Sequence, residues 1–291
     1  MSELPLVSFC LFTYNQEKYI VEAIDGAFSQ DYDNLEIIIS DDCSTDSTWE
    51  IVNKKAKQYS GKHKVVLNRN EHNLGVAAHV NKLYYDLSNG KYVAVAAGDD
   101  ISLPPRISKS VEFLEKNSKV VALSTSMKVI YENSNLDMIQ RQDTNEYEIF
   151  DIDYYLSTNY KHINGASRIV KRSLIEAFPP LNKDSPTEDT TMLLRAFMFG
   201  KVALIKEKLV HYRLHDNNLS SAESLRKMKL ENIFRQNFLD KKFAKEHNYL
   251  DVKTIRRLRF KLIDLKIKKL IVAPLKNVFQ RIKRQIWCVI Y

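Results

Sequence analysis

Short apolar, β-branched runs at Val7 to Phe12, Leu35 to Ile39, Val65 to Leu67, Tyr92 to Ala97 and Val120 to Leu123 alternate with stretches whose apolar residues recur at helical spacing. A chain written this way predicts a mostly parallel α/β sheet flanked by helices. Ile20, Ala23, Ile24, Ala27 and Phe28 form the first helical stripe, with Asn15 where an N-cap is expected. A second helix begins near Ser44 and carries Trp49 and Val52. Val76, Val80, Leu83, Tyr84 and Leu87 make a third, and Val111 with Leu114 marks a fourth. From about 131 to 162 the chain is polar and irregular. Beyond it, Ser185-Pro186-Thr187-Glu188 reads as a capping box with proline at the first helical position, opening a helix through Met192, Leu193, Ala196 and Phe197. Val202 to Ile205 and Leu209 to Leu214 read as short strands, and from Ala222 onward the pattern is helical.

The polar groups stand where such a sheet binds ligands. Thr13-Tyr14-Asn15 follows the first strand, Asp41-Asp42 the second and Gly98-Asp99-Asp100 the fourth, so they can share the crevice at the carboxyl ends of the strands. There is no Gly-x-Gly-x-x-Gly and no Walker loop to cradle a phosphate. A pocket lined by Asp41, Asp42, Asp99 and Asp100 repels a diphosphate unless a divalent cation lies between them. Mg²⁺ or Mn²⁺ suits that position, because hard cations bridge carboxylates to substrate phosphates. The structural alternative is that each aspartate caps the helix after its strand. Glu188 is accounted for by the capping box. Asp189 is not needed by it, and beside a helix N-terminus it stays ionised and can accept a proton from a hydroxyl. His215, near a strand end, reads either as a structural histidine or as a metal or phosphate residue.

The net charge of +8 is unevenly placed: Asp251 to Arg284 holds twelve Lys or Arg against two acids, leaving about −2 for the remainder. That tail mixes basic, aliphatic and aromatic residues, as in Arg256-Arg257-Leu258-Arg259-Phe260, and can lie on an anionic membrane surface or form a solvated helical face. The three cysteines are too far apart for a disulfide framework or zinc site, which suits a reduced, cytoplasmic setting. No run reaches the roughly 18 to 20 apolar residues of a membrane span. The expected localisation is therefore cytoplasmic, peripheral on the inner face of the membrane if residues 251–291 touch it.

With these segments in view, residues 5 to 220 resemble the family 2 glycosyltransferases of the GT-A fold. The resemblance is carried by Phe28-Ser29-Gln30, by Leu35 through Asp41-Asp42-Cys43-Ser44-Thr45-Asp46-Ser47-Thr48, by Asn70-Glu71-His72-Asn73-Leu74-Gly75, and by Gly98-Asp99-Asp100, Glu188-Asp189 and Tyr212-Arg213-Leu214-His215. It implies a GT-A domain over 1–220 with a helical, basic extension over 221–291. It also implies that Thr13, Tyr14, Asn15, Asp41 and Asn73 surround the nucleoside, with Asp41 at the base, and that Asp42 and Gly98 belong to the donor site. Asp99 becomes the metal-binding acid, Asp189 the general base, His215 a residue near metal and diphosphate, and Gly165 part of the segment facing the sugar. Three departures stand out. Ala97 occupies the first acidic position of the family's Asp-x-Asp, so that Asp100 becomes a candidate to share the metal. Cys43 replaces a common glycine, and the Gln-x-x-Arg-Trp signature of processive members is missing.

The resemblance thus implies inverting transfer of one hexosyl or N-acetylhexosaminyl unit. The donor is a nucleotide diphosphate sugar, commonly of uridine, and the acceptor a hydroxyl of a saccharide or lipid-linked saccharide, in cell-surface polysaccharide synthesis. A nucleotidyltransferase also places paired carboxylates and a metal on an α/β sheet and remains the first alternative. Nucleic-acid binding through the basic tail is the second and is not expected, since the tail carries no nucleic-acid motif.

Overall fold

The computed structural model describes residues 3–131, 146–158, 163–216, 218 and 228–269. In chain order it contains β1 (Val7–Thr13), α1 (Ile20–Phe28), β2 (Leu35–Asp41), α2 (Thr48–Gln58), β3 (Lys64–Arg69) and α3 (Val76–Asn81), which runs on as a π-helical turn over Lys82–Leu87. Next come β4 (Tyr92–Ala97), β5 (Ile101–Ser102), α4 (Arg106–Lys116), β6 (Val120–Tyr131), β7 (Tyr147–Phe150) and α5 (Ile152–Ser157). Then follow β8 (Ile169–Lys171), α6 (Arg172–Glu176), α7 (Asp189–Phe199), β9 (Lys201–Leu214), α8 (Leu230–Glu246) and α9 (Val252–Ile267).

These strands form one mixed sheet in the order β3-β2-β1-β4-β8-β6-β9-β5, with β7 also paired to β9. Its first four strands are parallel, as the alternation predicts, and β8 then runs antiparallel between β4 and β6. Successive side chains of a strand point to opposite faces, and both faces are buried. Phe9, Leu11, Ile37, Ile39, Ala94 and Ala96 meet α1, α2 and α4 on one side. Cys10, Ile38, Val93 and Val95 meet α3, α6 and α7 on the other. Because β2 and β4 lie on opposite sides of β1, a crevice opens at the carboxyl ends of these three strands.

Several local expectations change. Asn15 does not cap α1, which starts at Ile20 after Tyr19; instead Asn15 adopts φ +52° and its Oδ1 accepts from Thr45 N–H at 2.8 Å. The capping box at Ser185 also fails. Ser185 Oγ donates to the Thr187 carbonyl at 2.9 Å, Pro186 lies before the helix, and Glu188 occupies the N-cap position of α7 with no side-chain capping bond. Val202 to Leu214 is one long strand, paired to β6 through three register shifts. The irregular middle contains β7 and α5, while residues 132–145 and 159–162 lie outside the described residues. Cys43 has φ +63°, a left-handed conformation that a glycine adopts freely and other residues at a cost of about 1 kcal/mol.

The last two described helices pack on the sheet's helical layer. Ala244, Leu258 and Leu262 join the same apolar cluster as α7. Arg195 of α7 and Asp240 of α8 form a bidentate pair, both bonds 2.8 Å, with each side chain about 1% exposed. Gln236 donates to the same carboxylate at 2.8 Å. The boundary expected at 220/221 lies outside the described residues, as does the tail from 270 onward. Among the described residues no helix is long and apolar enough to cross a membrane.

Candidate active site

At the end of β1, Thr13 pairs in register with Asp41, and Phe12 with Ala97. Thr13 Oγ1 donates to Gln16 Oε1 at 2.8 Å, and a Cβ on Gly98 would lie 2.7 Å from Thr13 Oγ1 and 2.5 Å from Gln16 Oε1. Only glycine therefore lets the strand-end backbone of β4 come this close to β1. The loop after β1 is locked to the loop after β2. Asn15 N–H donates to Ser44 Oγ at 2.9 Å and Gln16 N–H to Thr48 Oγ1 at 2.8 Å. Tyr14, 43% exposed, projects from this double loop.

The four aspartates have distinct surroundings. The fully buried Asp41 carboxylate accepts from Ser44 N–H at 2.9 Å and from Ser44 Oγ, and Arg69 Nε stands 3.4 Å away. Asp42 accepts from Asn70 Nδ2 at 2.8 Å, Leu74 N–H at 2.9 Å and Gly75 N–H at 3.0 Å. It thereby fixes the loop carrying the exposed Asn73, whose Oδ1 accepts from Gly75 N–H at 2.9 Å. Neither aspartate caps α2, which starts at Thr48. Asp99 and Asp100 do not cap α4, which starts at Arg106 after Pro105. The capping alternative thus fails for both pairs.

Asp99 Oδ2 lies 3.0 Å from His215 Nε2 and 3.4 Å from Asn218 Nδ2, while Oδ1 accepts no hydrogen bond among the described residues. The His215 ring stacks on Tyr19 with centroids 4.7 Å apart, and its Nδ1 is buried without a hydrogen-bond partner among the described residues. Asp100 Oδ1 accepts from Arg213 N–H at 3.0 Å; burial and the Asp99 charge push its carboxyl up to about 8. Arg213 ties the group together, donating to the Asp99 carbonyl at 3.1 Å and to Glu22 at 2.6 Å. Among the described residues no three or more His, Cys, Asp or Glu side chains are grouped to hold an ion. The residue that would hold a cation here is Asp99, whose Oδ1 is left open among the described residues. Here His215 orients Asp99 through Nε2.

Asp189 begins α7. Its Oδ1 accepts from Thr190 N–H at 2.6 Å, and Arg168 donates to its carbonyl at 2.6 Å. Oδ2 accepts no hydrogen bond among the described residues and lies over Gly165, where a Cβ would come within 2.6 Å of the Asp189 Cβ. Any side chain at 165 would displace this carboxylate. Arg168 also joins Asp189 to the strand end, because its carbonyl accepts from Val95 N–H at 3.1 Å on β4, two residues before Ala97. Neighbouring Glu188 is pushed up to about 7, by burial first and the Asp189 charge second. Arg168, Arg213, Asn218 and Tyr19 are site residues that sequence reasoning missed. Only Arg213 carried a signal, its place two residues before His215.

The Glycosyl transferase family 2 model matches residues 8–178, more than half of the chain. The chain belongs to this family and is a glycosyltransferase. It is 32% identical to an uncharacterized glycosyltransferase of Haemophilus influenzae over 256 residues, covering 80% of this chain and 75% of that one. It is 25% identical over 238 residues to WfaP of Escherichia coli, a UDP-Glc:α-D-GlcNAc-diphosphoundecaprenol β-1,3-glucosyltransferase, covering 80% and 86%. Among solved structures it is similar to S. aureus TarS 1–349 in complex with UDP-GlcNAc, with TM-score 0.67, 18% identity, and 91% of this chain and 73% of that one covered. That likeness shows the GT-A fold.

Proposed function

We propose that the protein catalyses inverting transfer of a single hexosyl or N-acetylhexosaminyl unit from a UDP-sugar to a hydroxyl of a saccharide or lipid-linked saccharide, in cell-surface polysaccharide synthesis at the cytoplasmic face of the membrane. The observation that carries this reading is the open Oδ2 of Asp189, held over Gly165 and linked through Arg168 to the strand that presents Asp99. WfaP, which uses UDP-Glc and a diphosphoundecaprenol-linked acceptor, supports the donor and acceptor classes.

In this reading Thr13, Tyr14, Asn15, Asp41 and Asn73 receive the nucleoside, and Gly98 lets the end of β4 pack against Thr13 beside it. Asp42 acts by holding the loop of Asn73. Asp189 Oδ2 takes the proton of the acceptor hydroxyl, whose oxygen attacks the anomeric carbon as the bond to the diphosphate breaks. Bound at Asp99, Mn²⁺ or Mg²⁺ would neutralise the departing diphosphate. Asp99 would hold that ion, with His215 fixing its carboxylate through Nε2 and Asp100 beside it.

Asp99→Asn keeps the shape but removes the charge. Calorimetric titration with UDP plus Mn²⁺ should show affinity weakened by more than the roughly tenfold that loss of a supporting partner costs a metal site. Unchanged titrations would count against a metal role for Asp99.

A further inference from the structure

The outward face of α9 is unlike the surface of an ordinary solvated helix. Val252, Phe260, Ile263 and Ile267 are exposed on it, Val252 by 62% and Phe260 by 72%. At 100° per residue these four fall within one stripe, opposite the buried Ile255, Leu258 and Leu262. Lys253, Arg256, Arg259 and Lys266 lie along or beside the stripe and make no ion pair among the described residues. Arg257, outside it, pairs with Asp153, and the helix's one interior acid, Asp264, pairs with Lys268. The stripe is therefore apolar with Arg256 inside it, Lys253, Arg259 and Lys266 along its edges, and Asp264, already paired to Lys268, at one edge.

Beside it, α8 and Lys266 of α9 line an open cleft of about 550 Å³ whose walls include Arg235, Lys241, Lys242 and Lys266 against Glu231, with Lys242 also paired to Glu246 at 3.8 Å. Phe238 and the half-exposed Leu239 supply its apolar wall. Burial, then the charges of Arg259 and Lys245 near the cleft, lower the Lys241 ammonium from its ordinary value. An anion entering the cleft relieves that repulsion. On another face of the same helix, Gln236 accepts from Asn182 N–H at 2.7 Å and Asn232 donates to the Asp184 carbonyl at 2.9 Å. The helix that lines the cleft thus also anchors, on its other face, the loop that leads into Asp189.

We propose that the α8–α9 face docks on an anionic lipid bilayer, with lipid phosphates in the Arg235, Lys241, Lys242 and Lys266 cleft and the Val252, Phe260, Ile263 and Ile267 stripe in the acyl boundary. Four exposed apolar side chains in register favour a bilayer over a nucleic acid, which asks for cations without that stripe. The inference deepens the lipid-linked reading of the acceptor and rests on it for its purpose, since docking through α8, which anchors the Asp189 loop, would hold the base at the surface where such an acceptor lies.

The test is flotation of the full-length protein with vesicles of phosphatidylcholine alone or with about a third phosphatidylglycerol, a fraction giving a strongly negative surface. Binding to the anionic vesicles only, weakened by salt, is expected. Phe260→Ser/Ile263→Ser and Lys241→Glu/Lys266→Glu should each lower the partition coefficient by about tenfold or more, the first because interfacial binding scales with buried apolar area, the second because each basic residue near the surface is worth about 1 kcal/mol. These residues are on the surface, and donor hydrolysis without any lipid should be unchanged in both variants. Equal binding to both lipids, or wild-type binding by both variants, would overturn the proposal, as would salt-sensitive capture of RNA in place of vesicles. Loss of hydrolysis in the wild-type protein would instead strike at the transferase reading.

Discussion

Asp189→Asn is expected to lower turnover by about a thousandfold, within the range that loss of a general base produces, while donor binding stays intact. The substitution is a clean one here. Asparagine keeps an oxygen to accept from Thr190 N–H, Arg168 grips the backbone carbonyl and not the side chain, and the volume over Gly165 is unchanged. What disappears is the ability of Oδ2 to take a proton. Steady-state kinetics with calorimetric donor titration separate the two effects. Wild-type turnover in the variant would remove Asp189 from the mechanism.

Asp240→Ala should be the most damaging single change to stability, at about 3 to 5 kcal/mol, because it leaves the Arg195 guanidinium buried and unpaired. In a chain of this size that corresponds to a fall in Tm of roughly 10 °C. Gln236 loses an acceptor in the same variant. Replacing both partners by apolar residues, Arg195→Met with Asp240→Leu, should recover a large part of the loss, since the cost lies in the uncompensated charge. Thermal melting of the three proteins measures this. A single-variant loss under about 1 kcal/mol, typical of an exposed pair, would show that the ion pair does not hold α7 to α8.

The strand ends were legible because period-two apolar runs end where polar residues begin. Thr13, Asp41 and the glycine before Asp99 therefore lie together as the alternation and topology require. The helix starts were less legible. Asparagine caps helices and also tolerates the left-handed conformation, and at Asn15 the loop uses the second property. At Ser185 the spacing of a capping box was present, yet the chain turns once more before α7. Cys43 shows the opposite case, a departure visible in the sequence whose meaning, φ +63°, only the backbone supplies. Long-range partners were not legible at all. Asp42 is occupied by donors 28 to 33 residues away, and nothing near Arg168, Arg195 or Arg213 in the chain names the groups they hold.

The central claim is sugar transfer from a nucleotide diphosphate donor, and product analysis tests it most directly. The purified protein is incubated with a panel of nucleotide sugars and Mn²⁺, with and without saccharide acceptors, and the released nucleotide is identified. Release of nucleoside diphosphate is predicted, with UDP-sugars turned over and transfer by Asp189→Asn about a thousandfold slower. Release of pyrophosphate, the product of nucleotidyl transfer, would contradict the account.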